Sequence, residues 1–123
     1  MARVLIVDDE EDIASSLKMG LTNNGFQVDA YSDPQKALDN FKPNTYDLTL
    51  LDIRMPKMNG FELCREIKKK DGNAKICFIT AFEIYYDEFK KIFPDTQVKC
   101  FIKKPISLKE LVSHIKTEIA ITT

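Results

Sequence analysis

The chain has 123 residues and a mass of 14.1 kDa, the size of one compact domain. Hydrophobic residues make up 44% and charged residues 30%, which excludes a disordered chain, a coiled coil and a collagen-like fibre. With 18 Lys and Arg against 19 Asp and Glu, the formal charge of −1 excludes bulk attraction to nucleic acid or anionic lipid. No apolar run approaches the roughly 20 residues that span a bilayer, and MARVLIVDDEED turns acidic before a signal-peptide core forms. The expected location is the cytoplasm, without membrane contact. Cys64, Cys77 and Cys100 match no zinc or redox spacing and are expected as reduced, small hydrophobes.

Short apolar or β-branched runs alternate with helical stretches along the chain, the pattern of parallel βαβ units. Strands are predicted at Arg3–Val7, Gln27–Tyr31, Asp47–Leu51, Lys75–Ile79 and Val98–Ile102, and runs such as VLIV and ICFI suit strands buried on both faces. A first helix follows from Ile13, Leu17 and Leu21, with Gly25 as a left-handed cap. Asp33 and Pro34 open a second, carrying Ala37, Leu38 and Phe41 inward. Gly60 precedes a third with Leu63 and Ile67, stopped at Asp71-Gly72. One short helix is predicted within 81–97, before Pro94. The last begins at the capping box Ser107-x-x-Glu110, with Leu108, Leu111, Val112, Ile115 and Ile119 as its apolar stripe. Right-handed crossovers then give a five-stranded parallel α/β sheet covered on both faces, one domain over residues 1–123 with no output domain in this chain.

Ligands of such sheets bind at the carboxyl ends of the strands. There the chain carries Asp8-Asp9 after strand one, Asp52 after strand three, Thr80 after strand four and Lys103-Lys104-Pro105 after strand five. If the strands bring them together, three carboxylates cannot all ionise cheaply and call for a cation. An oxygen-only donor set suits Mg2+. One divalent ion and one lysine balance three carboxylates, and an incoming phosphoryl group still meets two cations, so the site is built to stabilise phosphoryl transfer. Asp52 is the candidate nucleophile, since a carboxylate forms an aspartyl phosphate.

LIVDDEED, LLDIRMPKMNG, FITA and FIKKPI, in that order and spacing, resemble the receiver domains of two-component response regulators, and the resemblance spans almost the whole chain. It implies the flavodoxin-like (βα)5 fold with sheet order 2-1-3-4-5, an order the family is known for. It implies that Asp52 is the phosphoacceptor, charged by the phosphohistidine of a histidine kinase or phosphotransfer protein. Asp8 and Asp9 match the acidic pair that binds Mg2+, with Asp9 the more direct ligand, and Arg54 contributes its backbone carbonyl. Thr80 matches the hydroxyl that bonds the phosphoryl group and Lys104 the lysine that pairs with it. A cis Lys104–Pro105 bond and a rotating aromatic residue at Phe101 are further implications.

Moving a two-state equilibrium from about 1:99 to 99:1 takes roughly 5.5 kcal/mol, and two charge-assisted hydrogen bonds contribute roughly 1.5–3 kcal/mol each. Bonds from Thr80 and Lys104 to the phosphoryl oxygens are therefore together of about the right size to switch the domain. Thr80 is expected to move inward, Phe101 to follow, and the face of the fourth helix, fifth strand and last helix to change for a downstream protein or a homodimer. No independent substrate is implied, only phosphoryl uptake and slow autodephosphorylation.

Plainer readings fit several residues. Glu10, Glu11 and Asp12 suit a solvated helix start, Lys68-Lys69-Lys70 a solvated helix end, and Lys103 an exposed neighbour. His114 has no role. Phe89 and Phe93 suit the core, and one of Tyr85 and Tyr86 an exposed contact. The sequence departs from the family at Arg54 and Phe82, positions where the family's side chains influence access of water to the acyl phosphate, and shielding by Phe82 favours slow hydrolysis. It departs again at Pro94-Asp95-Thr96, where a glycine–alanine pair is usual, and at Phe101, where tyrosine is commoner. The rival function is a constitutive interaction or dimerisation domain with the same fold. A haloacid-dehalogenase-type phosphatase is disfavoured by Arg54, which stands where that chemistry needs a second aspartate, and flavin binding by the acidic first loop.

Overall fold

The computed structural model describes residues 2–80, Lys91 and residues 100–120. Its elements are β1 (Arg3–Val7), α1 (Glu11–Asn23), β2 (Gln27–Tyr31), α2 (Pro34–Asn40), β3 (Leu48–Asp52), α3 (Gly60–Lys70), β4 (Ile76–Thr80), β5 (Cys100–Lys103) and α4 (Leu108–Ala120). The strands form one parallel sheet in the order β2-β1-β3-β4-β5. The predicted fold is therefore the observed one. β3 and β4 each run one residue further than predicted and so include Asp52 and Thr80, while β5 is described over Cys100–Lys103, its predicted start at Val98 lying outside the described residues. The helix predicted within 81–97, with Phe82, Tyr85, Tyr86, Phe89, Phe93 and the Pro94-Asp95-Thr96 departure, lies outside the described residues.

Alternation along the strands divides the core in two. Leu5, Val7, Leu51 and Phe78 face one way and pack with Ala37 and Phe41 of the α2 region and Phe61, Leu63 and Ile67 of α3. Val4, Ile6, Leu50, Cys77, Ile79, Cys100 and Ile102 face the other way, against Leu21 of α1 and Leu111, Val112 and Ile115 of α4. A helical layer thus covers each face, as the unbroken apolar runs demanded.

Local chemistry sets the helix ends. The amides of Gly25 and Phe26 donate to the Thr22 and Leu21 carbonyls at 3.1 Å each, a Schellman closure that needs Gly25 at its φ of 92°. Asp33 accepts from the Gln35 amide at 2.9 Å ahead of Pro34. The Ser107 hydroxyl accepts from the Glu110 amide at 3.1 Å. Leu108 differs from the prediction: it rests against Gly20 of α1, where an added Cβ would lie 2.8 Å from it, and remains exposed. Among the described residues no helix is long and apolar enough to cross a membrane.

The cysteines require a correction. Cys64 is a buried free thiol, pushed up to about 12 by burial, but Cys77 and Cys100 form a disulfide between β4 and β5. The strand register sets the two residues directly opposite each other, with Cα atoms 4.6 Å apart, within the span that a disulfide bridges.

Candidate functional site

Each apolar run gives way to polar chemistry at its carboxyl end, and the register aligns those ends. Val7 pairs with Leu51 and Asp52 with Ile79, so Asp8, one residue beyond β1, ends level with Asp52, the last residue of β3. Asp8 is 1% exposed and Asp52 8%, and together with the half-buried Asp9 they place one carboxylate oxygen each within 4.8 Å of one another. The Glu10 amide donates to Asp8 at 3.0 Å. From the end of β5, beside a cis Lys104–Pro105 bond, the Lys104 ammonium donates to Asp8 Oδ2 at 2.9 Å and lies 3.8 Å from Asp52 Oδ2.

Burial pushes the Asp52 carboxyl up to about 7; Lys104 opposes this rise, while Asp8 and Asp9 add to it. Burial works against the charge of Lys104, yet the bond to Asp8 and the field of Asp52 hold its ammonium above the ordinary lysine range. Among the described residues the three clustered carboxylates outnumber the Lys104 ammonium beside them, and the donor atoms are all hard oxygens. That combination fits a small divalent cation held by Asp8, Asp9 and Asp52.

The loop from β3 to α3 closes tightly beneath Asp52. A Cβ at Gly60 would stand 2.3 Å from the Asp52 carbonyl oxygen, so only glycine allows this approach, and the Gly60 amide donates to the Ile53 carbonyl at 2.9 Å. Asn59 caps α3 by accepting from the Glu62 amide at 2.9 Å, and Glu62 returns the contact to the Asn59 amide at 3.3 Å. This Asn-x-x-Glu box was legible in the sequence and was missed.

Of the residues singled out from sequence, Asp8, Asp9, Asp52 and Lys104 converge. Arg54 lies two positions past Asp52 with an exposed side chain. The Thr80 backbone ends β4 opposite Lys103, one row beyond the Asp52–Ile79 pair, and its hydroxyl lies outside the described residues. Phe101 is half-buried, its ring 5.4 Å from that of Phe78 and tilted by 31°, on the α2–α3 face of the sheet. His114 and Lys103 are exposed. The sequence reading missed the Cys77–Cys100 pair, although its own strand limits made each cysteine the third residue of neighbouring strands.

A parallel sheet in this order with an acidic cluster and a lysine at its carboxyl edge defines a class. The chain belongs to the response regulator receiver domain family, whose model matches residues 4–116. It is 35% identical over 116 residues to the response regulator ArlR of Staphylococcus aureus, covering 94% of this chain and 52% of ArlR. The chain thus spans about half the length of the curated relatives it matches. The non-phosphorylated HemR receiver domain of Leptospira biflexa superposes with a TM-score of 0.86 at 30% identity, covering 100% of this chain and 98% of the other. The response regulator TrrA of Thermotoga maritima, solved in complex with Mg2+–BeF, gives 0.80 at 33%, covering 96% and 99%. A chain from the complex of histidine kinase ThkA with TrrA gives 0.81 at 34%, covering 98% and 100%. The protein is thus a receiver domain of two-component signalling.

Proposed function

We propose that this domain is a phosphorylation-controlled switch in which Asp52 accepts a phosphoryl group from the phosphohistidine of a histidine kinase or phosphotransfer protein. One observation carries the reading: a buried aspartate at a strand end, with two further carboxylates within 4.8 Å and a lysine 3.8 Å away. The kinase complex of TrrA supports the partner class, and the Mg2+–BeF complex of TrrA supports the metal.

An Asp52 carboxylate oxygen attacks phosphorus as the bond from phosphorus to the histidine nitrogen breaks, and the imidazole leaves with that electron pair. Asp8, Asp9 and Asp52, with the Arg54 backbone carbonyl, would hold Mg2+, which would supply positive charge against the phosphoryl oxygens. Lys104 favours the ionised form of Asp52 against the effect of burial and then turns to the phosphoryl group, and the Thr80 hydroxyl donates to it. Their contact draws Thr80 and then Phe101 inward, and the altered face around β5 and α4 engages a downstream protein or a second copy. Phe82 shields the acyl phosphate from water and slows its hydrolysis. We place the exchange in the cytoplasm.

Incubation with Mg2+ and phosphoramidate tests the reading. The intact chain should gain one phosphoryl mass, labile to hydroxylamine and to alkali as an acyl phosphate is, and Asp52→Asn should gain none. An unmodified wild-type chain under these conditions would leave a constitutive interaction domain as the better account.

A further inference from the structure

Only one covalent link joins strands among the described residues, and it joins β4, which ends at Thr80, to β5, which leads directly into Lys104. Cys77 lies three residues before Thr80 and Cys100 four before Lys104, and the link ties them at directly opposed positions of β4 and β5. A parallel ladder already holds these strands, and two thiols would fill the same buried space as small hydrophobes. Register and packing therefore do not require the disulfide; what it adds is resistance to relative motion of the two strand ends. The sulfurs sit on the α4 face of the sheet, within 4.8 Å of the half-buried Glu118 carboxylate in the last turn of that helix. The Lys75 ammonium holds the same turn through the Glu118 carbonyl at 3.1 Å. Helix ends fray, so this turn is the way in to an otherwise buried bond.

We propose that Cys77–Cys100 is a dithiol-reducible clasp on the phosphoryl switch: closed, it holds the ends of β4 and β5 together, and opened, it lets them shift as Asp52 is charged. The inference rests on the switch reading above. A thiolate of an external dithiol attacks one of the two sulfurs and the Cys77–Cys100 bond breaks into a mixed disulfide; the second thiol of the reagent then displaces the remaining cysteine. Two electrons and two protons pass to Cys77 and Cys100, and the dithiol departs as its own disulfide.

The test uses the full chain, oxidised with glutathione disulfide or reduced with dithiothreitol, with thiols counted by alkylation after denaturation. The oxidised form should take one label, on Cys64, and the reduced form three. With Mg2+ and phosphoramidate the reduced form should take up the phosphoryl group at least threefold faster, and Cys77→Ala/Cys100→Ala should match it in either buffer. Amide exchange in residues 76–80 and 100–103 should be at least tenfold faster in the reduced wild type, a readout that needs neither the variant nor phosphorylation. Three labels after oxidation, or equal uptake rates in the two forms, overturns the clasp. If neither form takes up phosphoryl, it is the switch reading that fails, and the exchange comparison alone decides whether the two strands are clasped.

Discussion

Lys104 donates to Asp8 at 2.9 Å while standing 3.8 Å from Asp52, so the lysine rests on Asp8 and, under the proposed switch, has only a short way to swing to a group on Asp52. The partner is the more buried of the two acids, at 1% exposure against 8%. Lys104→Met would strand that charge, at a cost of roughly 1.5–3 kcal/mol in urea unfolding without divalent cations, and saturating Mg2+ should recover part of it. A loss under about 0.5 kcal/mol would make Lys104 an ordinary surface lysine. Because its ammonium is held above 10.5, the contribution is complete below that pH and disappears as pH rises through the higher folded value.

Asp52 sets a dependence of the same sign at lower pH. Its carboxyl moves from 3.8 to about 7 on folding, so between these values the folded chain holds a proton that the unfolded chain has released. Metal-free stability should fall as pH rises from about 4 to 7. Mg2+ needs the ionised form, so the rise in Tm that it produces should be larger at pH 8 than at pH 5. Equal shifts at both values, measured by scanning calorimetry, would remove Asp52 from the metal site.

Gly60→Ala tests the tight loop. Its Cβ would meet the Asp52 carbonyl at 2.3 Å and the Ile53 Cα at 3.0 Å, backbone atoms that cannot rotate away. The expected cost is about 1–3 kcal/mol in urea unfolding. Titration with Mg2+ should show weakened binding as well, because the displaced backbone is that of Asp52 itself.

Reduction of Cys77–Cys100 should lower stability by about 3 kcal/mol, the loop-closure value for a link across a sequence separation of 23. The urea midpoints of oxidised and reduced protein give this difference directly. Coincident midpoints would mean that the unfolded chain gains nothing from release of the link.

Much of the molecule was legible from short stretches. VLIV, LTLL and ICFI announced buried strands, Asp33-Pro34 and Ser107-x-x-Glu110 announced helix starts, and the acids after strands one and three announced the site. These signals are local, since capping and apolar periodicity involve residues a few positions apart. Leu108 escaped because periodicity shows which side of a helix is apolar but not which neighbour each residue meets.

The sequence by itself determined that the chain is a receiver-type α/β domain with acids and a lysine at its strand ends. Tertiary structure decided that Lys104 rests on Asp8, 96 positions away, that Asp52 is buried enough to titrate near 7, and that Cys77 meets Cys100 as a disulfide. Each depends on which strands are neighbours and in what register, and those distances exist only once the sheet has assembled.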